Sequence, residues 1–568
     1  MKLYGYNIKQ YNRGESTMKN RITNGAVFCI FVLLAATVWA QNQVFTHQDT
    51  LRGSITNERK WWDVTYYDLH VAVNIEERSI AGANSIYFRV LEPGRTMQID
   101  LQEPMVMTRV VQDGKDLEFS RDGSAWFVDL QKEEGKGSAG MIQVYYNGVP
   151  KVSKRPPWDG GFTWTKDSNG KDFIATANQG EGASLWWPCK DHPYDEADSM
   201  RISVRVPGHL MDVSNGRLRS VEEHTDGTRT FRWFVSNPIN NYGVNINIGD
   251  YVHFSEVYAG EKGPLDCNYY VLRENLEKAK VHFADAARML ESMEYWFGPY
   301  PFYEDGYKLV EVPYPGMEHQ SSVTYGNGYK NGFRGMDISN SGWGLKFDFI
   351  IIHESGHEWF ANSITNSDVA DMWIHESFIA YSENLFVNYY WGKKASAEYV
   401  IGTRRRIYHD RPVIGTYNVA NEGSHDMYYK GSNMLHTLRQ IVDNDSTWRS
   451  ILRGLNREFY HQTVCAGQIE GFINERVELD LTPFFNQYLR DIRIPVLEYV
   501  REGNKLVFRW TNCVDGFNMP VRVKINGGYE WLKPSARWQE FDAGAAVAEV
   551  SIDPNFYVAE CDLVPEIE

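Results

Sequence analysis

The chain has 568 residues, 43% hydrophobic and 23% charged, which is globular material long enough for three or four domains. Its formal charge of −16, from 58 basic and 74 acidic side chains, argues against nucleic acid or an anionic membrane surface as a partner. Six scattered cysteines make no disulfide framework and show no metal-ligand spacing.

Met18-Lys19-Asn20-Arg21 leads into an apolar run, Ala26–Trp39, that ends at Ala40 and Gln41. A basic start, a short apolar core and a small exit residue predict a secretory leader cut after Ala40. Residues 1–40 are therefore read as an N-terminal extension and signal peptide, and the protein as exported, periplasmic or secreted. Fourteen apolar residues fall short of the ~20 that a spanning helix needs, so no stable membrane insertion is expected after cleavage.

Over 41–272 the apolar residues recur with period two: Leu69, Val71, Val73 and Ile75, then Ile86, Phe88 and Val90, then Ile202, Val204 and Val206. Such half-buried strands predict a large antiparallel β domain. It contains Gln179-Gly-Glu181 and, a little further on, Trp187-Pro-Cys-Lys-Asp-His-Pro193.

The period changes at Arg273. Leu276, Ala279, Phe283, Ala286, Leu290, Met293 and Phe297 form one helical stripe, stopped at Gly298. From there to about residue 494 most segments read as helix, interrupted by a β-like insert containing Pro315-Gly-Met-Glu-His319. The stretch His353-Glu354-Ser-Gly-His357 follows. Two histidines four apart on a helix leave the same face one turn apart, the spacing two nitrogens need to share one Zn²⁺. Glu354, beside the first, is placed to act as base toward the open metal position. A third ligand is required. Ser363 occupies the position where a third histidine would continue the motif, and both His375 and Glu376 lie on the next predicted helix. Neighbours there point ~100° apart, so only one of them can face the metal.

After about residue 495 alternation returns, with Leu506, Phe508 and Trp510 on one strand and Val521, Val523 and Ile525 on another. Asn526-Gly527-Gly528 then predicts a hairpin turn. Residues 495–568 read as a small C-terminal β-sandwich domain in which Cys513 and Cys561 are close enough in sequence to pair.

His353-Glu-x-x-His357, eighteen residues, then Glu376 within Trp373-x-x-Glu-x-Phe378 resembles the M1 family of zinc aminopeptidases, the gluzincins. The resemblance implies that Glu376 is the third zinc ligand and His375 a supporting group. It implies a multidomain α+β architecture whose residues 273–494 form a thermolysin-like, mainly helical catalytic domain. Pro315-Gly-Met-Glu-His319 is similar to the family's Gly-x-Met-Glu-Asn, with Pro315 and His319 as departures. By that likeness Gly316 and Met317 line the substrate, and Glu318 anchors its free α-amino group. Gln179 and Glu181 match a Gln-x-Glu loop that helps hold the amine, while Cys189 and Asp191 are read as structural. Tyr428-Tyr-Lys-Gly431 is similar to the family's Tyr-x-Lys-Gly and makes Tyr428 the oxyanion donor, with Tyr429 the alternative. By the same likeness, a chain ending near residue 568 is expected to lack the long helical C-terminal domain of larger members.

The expected activity is removal of N-terminal residues from peptides with a free N-terminus, using one Zn²⁺ per chain. The rival readings are an M1-like zinc endopeptidase or epoxide hydrolase, or a non-catalytic binding protein on the same fold. Asp368, Asp371, Glu383 and the run Arg404–Arg406 are read as solvated charges without a role.

Overall fold

The computed structural model describes residues 44–563, which from His47 onward form one compact unit. The leader expected over 1–40 lies outside the described residues. The strand Trp62–Asn74 is central to an eight-stranded sheet, antiparallel to Ser79–Val90 on one side and parallel to Ser199–Pro207 on the other. That parallel pair departs from an otherwise antiparallel sheet. The period-two reading has its cause here, because Leu69, Val71 and Val73 are buried while the residues between them reach outward. In a second sheet Asp172–Ala177 pairs with Gly161–Lys166 and Asn247–Gly249. The chain leaving that strand runs directly into the loop carrying Gln179 and Glu181.

A five-stranded sheet is ordered Tyr251–Gly260, Gly263–Leu272, Tyr307–Glu311, Val323–Tyr325, Gly316–Met317. Its first two strands precede the change of period at residue 273. They are nevertheless hydrogen-bonded into the sheet of the helical region, Cys267–Tyr270 running parallel to Tyr307–Val310. The stripe expected as one helix is two, Leu276–His282 and α1 (Ala284–Phe297), broken at Phe283. The Phe283 ring packs edge-on against Tyr325 at 5.0 Å, joining the helix pair to the sheet. Gly298, at φ 102°, ends α1 in a conformation that disfavours any side chain.

Three further helices build the remaining walls: α2 (Phe349–Gly356), α3 (Trp373–Thr403) and α4 (Asp426–Val442). Met289, Ile351, Phe378, Tyr381 and Leu435, one or more from each of the four, are buried in one core. The chain ends in two small sheets, with Val496–Glu502 against Lys505–Thr511 and Val521–Ile525 against Gly528–Leu532. Asn526 (φ 48°) and Gly527 (φ 92°) make the expected left-handed hairpin turn.

Cys513 and Cys561 are not bridged. The strand Val496–Glu502 lies between the strand carrying Cys561 and the one that Cys513 follows. Among the described residues no helix is long and apolar enough to cross a membrane.

Candidate active site

The start of α2 is held by a side chain rather than by helix propensity. Asp348 caps it, accepting from the backbone N–H of Ile350 and Ile351. Its second oxygen also engages the His282 ring at 2.6 Å and the Tyr325 hydroxyl at 2.8 Å. Phe349, Ile350, Ile351 and Ile352 are buried and seat the helix in the core. α2 stops at Gly356, but His357 (φ −60°, ψ −16°) continues the turn. Its imidazole therefore follows that of His353, with ring centroids 5.0 Å apart.

α3 brings Glu376 across from them. Its Oε2 lies 3.6 Å from Nε2 of His353 and 3.6 Å from Nε2 of His357. Each imidazole is oriented through its other nitrogen: His353 Nδ1 is 2.7 Å from Glu383 Oε1, and His357 Nδ1 is 3.1 Å from the Phe360 carbonyl. Glu376 Oε2 is buried and has no hydrogen-bond partner among the described residues. A buried carboxylate oxygen left in this state is costly unless a cation joins it. Two imidazole nitrogens and one carboxylate oxygen within 4.8 Å of one another fit zinc. His375 turns away, its Nε2 accepting the Asn366 N–H at 2.9 Å.

The edge strand Gly316–Met317 passes close to α2. A Cβ on Gly316 would stand 2.6 Å from Ile350 Cγ2 and 2.9 Å from Glu354 Cγ, so a side chain there would push strand and helix apart. Glu318 follows, its carbonyl held by Asn362 Nδ2 at 2.8 Å. From the β side Gln179 Nε2 donates to Glu318 Oε1 at 2.7 Å and to Glu376 Oε1 at 3.1 Å. Burial, reinforced by Glu354 and Glu376, pushes the Glu318 carboxyl far above its ordinary range. Burial likewise lifts Glu354 to about 7. Glu376 is buried too, yet the two histidines hold it down to about 2. Three crowded carboxylates, two of them resisting ionisation, suit a site completed by a metal dication and an ammonium.

Glu181 does not join them. It pairs instead with Lys151 Nζ at 3.3 Å, half-exposed, and lies outside the cavity that Gln179 and Glu318 line. Gly180 (φ 74°) and Gly182 (φ 88°) turn the chain on either side of it. A Cβ at Gly182 would stand 2.3 Å from Asp191 Oδ2, so the loop is pinned in that turn.

The Tyr428 ring stacks on His353 with centroids 6.2 Å apart and 22° between planes, and it lines the same cavity as Glu376. Tyr429 lines the same cavity without a ring contact to either histidine among the described residues. The neighbouring residues of the motif hold α4 in place. Lys430 Nζ donates to the Asp491 carbonyl at 2.6 Å, and a Cβ on Gly431 would lie 1.9 Å from Ser377 Oγ of α3.

Several charges read as solvated are not. Glu383 is buried, linking His353 to the Tyr399 hydroxyl, which donates to its Oε2 at 2.6 Å. Its signal was in the sequence, since seven residues after Glu376 is the same helix face two turns on. Asp371 is buried and accepts from the Tyr417 hydroxyl and the Ala466 N–H, while Asp368 accepts from the N–H groups of Ala370 and Asn418. Arg404 packs over Tyr557 and donates to Asn433, and Arg406 lines the cavity.

Residues 64–242 match the Peptidase M1 N-terminal domain and residues 282–488 the Peptidase family M1 domain, together more than half of the chain. The probable aminopeptidase 1 of Saccharolobus solfataricus is 22% identical over 482 residues, covering 79% of this chain and 58% of that protein. Human glutamyl aminopeptidase is 23% identical over 518 residues, covering 85% of this chain and 52% of its own length. The chain thus spans about half the length of the curated relatives it matches. The solved M1 zinc metallopeptidase of Deinococcus radiodurans shares the fold at a TM-score of 0.62 and 20% identity, over 74% of this chain and 91% of that one, and a single-residue mutant of it at 0.64, over 76% and 95%. The same mutant bound to a Tyr-Ser-Ala substrate matches with the mutant's TM-score, identity and coverage. The two family domains and the shared fold place this chain in peptidase family M1, a family whose matched members are aminopeptidases and zinc metallopeptidases.

Proposed function

We propose that the protein is a zinc aminopeptidase that removes N-terminal residues from peptides. The observation that carries this reading is the Gln179 amide, which reaches Glu318 at 2.7 Å and Glu376 at 3.1 Å. A carboxylate able to hold an ammonium stands one amide away from the metal trio, so an amine bound there brings the first peptide carbonyl beside it. His353, His357 and Glu376 would hold one zinc ion, which would supply a Lewis acid for activating water and polarising that carbonyl. Glu354 takes the proton of the attacking water and passes it to the leaving amine. Tyr428 donates its hydroxyl to the oxygen on which negative charge develops. Glu383 keeps His353 in one tautomer and orientation. The segment Met18–Ala40 supports export, with the reaction periplasmic or extracellular.

An endopeptidase would have little use for Glu318 at this position, and a binding protein little use for Glu354 beside an open ligand position. The test is hydrolysis of free and N-acetylated aminoacyl reporter amides, with and without a zinc chelator. Cleavage of the free set alone, lost with chelator and restored by Zn²⁺, is expected. Rapid cleavage of acetylated peptides at internal bonds would overturn the exopeptidase reading.

A further inference from the structure

Among the described residues lining the substrate cleft, Arg406 is the one arginine or lysine, opposite in charge to Glu318, Glu354 and Glu376. Its Nε donates to the Ile338 carbonyl at 3.1 Å, and its terminal N–H groups have no hydrogen-bond partner among the described residues. No carboxylate of the described residues comes within the 4.0 Å of an ion pair. Its two neighbours differ. Arg404 is held by Asn433 and Tyr557, and Arg405 donates to the carbonyls of Asp337 and Ile338. Arg406 is half-buried, and Phe333, Ile338 and Phe349 line the same cleft. Arg52, Arg229, Arg404 and Arg449 are likewise half-buried without an ion pair among the described residues, but only Arg406 lines the cleft. A guanidinium is a fork for a carboxylate.

We propose that Arg406 binds a carboxylate of the peptide on the leaving-group side, so that the enzyme favours short peptides whose charge complements a cleft anionic at the amine anchor and cationic at this wall. The inference rests on the aminopeptidase reading. The carboxylate is either the C-terminus of a di- or tripeptide or an acidic side chain beyond the first residue.

The experiment is calorimetric binding to zinc-loaded Glu354→Gln protein, with two peptide pairs. Leu-Ala-Ala is compared with its C-terminal amide, and Leu-Asp-Ala-amide with Leu-Asn-Ala-amide. The carboxylate-bearing member of one pair is expected to bind roughly tenfold tighter, the usual scale of a charge-assisted hydrogen bond. An advantage in the first pair assigns the C-terminus, and in the second the side chain. Adding Arg406→Gln, which retains a donor for the Ile338 carbonyl, is expected to erase the advantage, whereas Arg406→Lys retains part of it. Equal affinity within both pairs, absence of binding, or an advantage that survives Arg406→Gln would overturn the proposal. Turnover of leucine 4-nitroanilide by the wild-type protein separates the two readings. Cleavage without a carboxylate advantage sinks this inference alone, and an advantage without cleavage sinks the aminopeptidase assignment alone.

Discussion

Glu383 Oε1 lies 2.7 Å from His353 Nδ1, so the nitrogen that faces Glu376 is presented in one fixed orientation. Partners of this kind hold a ligand imidazole in place and raise its basicity. Glu383→Gln is expected to weaken zinc binding by about 10–100-fold while leaving the fold intact. Competition with a chromogenic chelator measures it, and unaltered zinc affinity would refute the orienting role.

The contact between the edge strand and α2 leaves no space at Gly316. Gly316→Ala is expected to cost about 1–3 kcal/mol of stability through overpacking. Because the displaced atoms belong to Glu354 and Ile350, activity should fall further than stability alone explains. Urea unfolding and steady-state kinetics on the same preparation test this; an active, equally stable variant would contradict the geometry.

Glu318 and Glu181 should behave differently although one family likeness marks both. Glu318→Ala removes the amine anchor and is expected to reduce kcat/KM for free-amine substrates about 100-fold or more, the scale of a lost buried charge pair. Glu181→Ala removes a half-exposed pair with Lys151, worth about 0–1 kcal/mol, and should leave kcat/KM within about fivefold of wild type.

Tyr428→Phe deletes a donor aimed at developing charge and is expected to lower kcat about 100-fold with little change in KM. Tyr429→Phe should change kcat far less. The reverse order would move the oxyanion role by one residue.

Acid sensitivity should centre partly on His436, which is buried and bonded to Asn555 at 2.9 Å. Burial, aided by Arg439 and Arg404, lowers its pKa from 6.5 to about 4. The unfolded chain therefore binds the extra proton first. The contribution is intact above pH 6.5 and shrinks as pH falls toward 4, by about 3 kcal/mol in all. Urea midpoints at pH 7.5 and pH 5 should differ less for His436→Gln than for wild type.

Period and spacing alone carried much of this protein. The alternation of Leu69, Val71 and Val73, the stripe into α1, the Asn526-Gly527 turn and the pairing of His353 with His357 are all local, set by geometry that repeats every two or 3.6 residues. Helix geometry left His375 and Glu376 both open, and the family likeness chose between them. What tertiary structure decided lies between distant segments. Gln179 meets Glu318 across 139 positions and Glu376 across 197, and no local pattern shows that Glu181, two residues from Gln179, turns outward to Lys151. Glu383 and Arg406 read as ordinary surface charges because burial depends on what packs over them. Local propensity sets a side chain's direction on its own element, but its surroundings are set only when the elements close on one another.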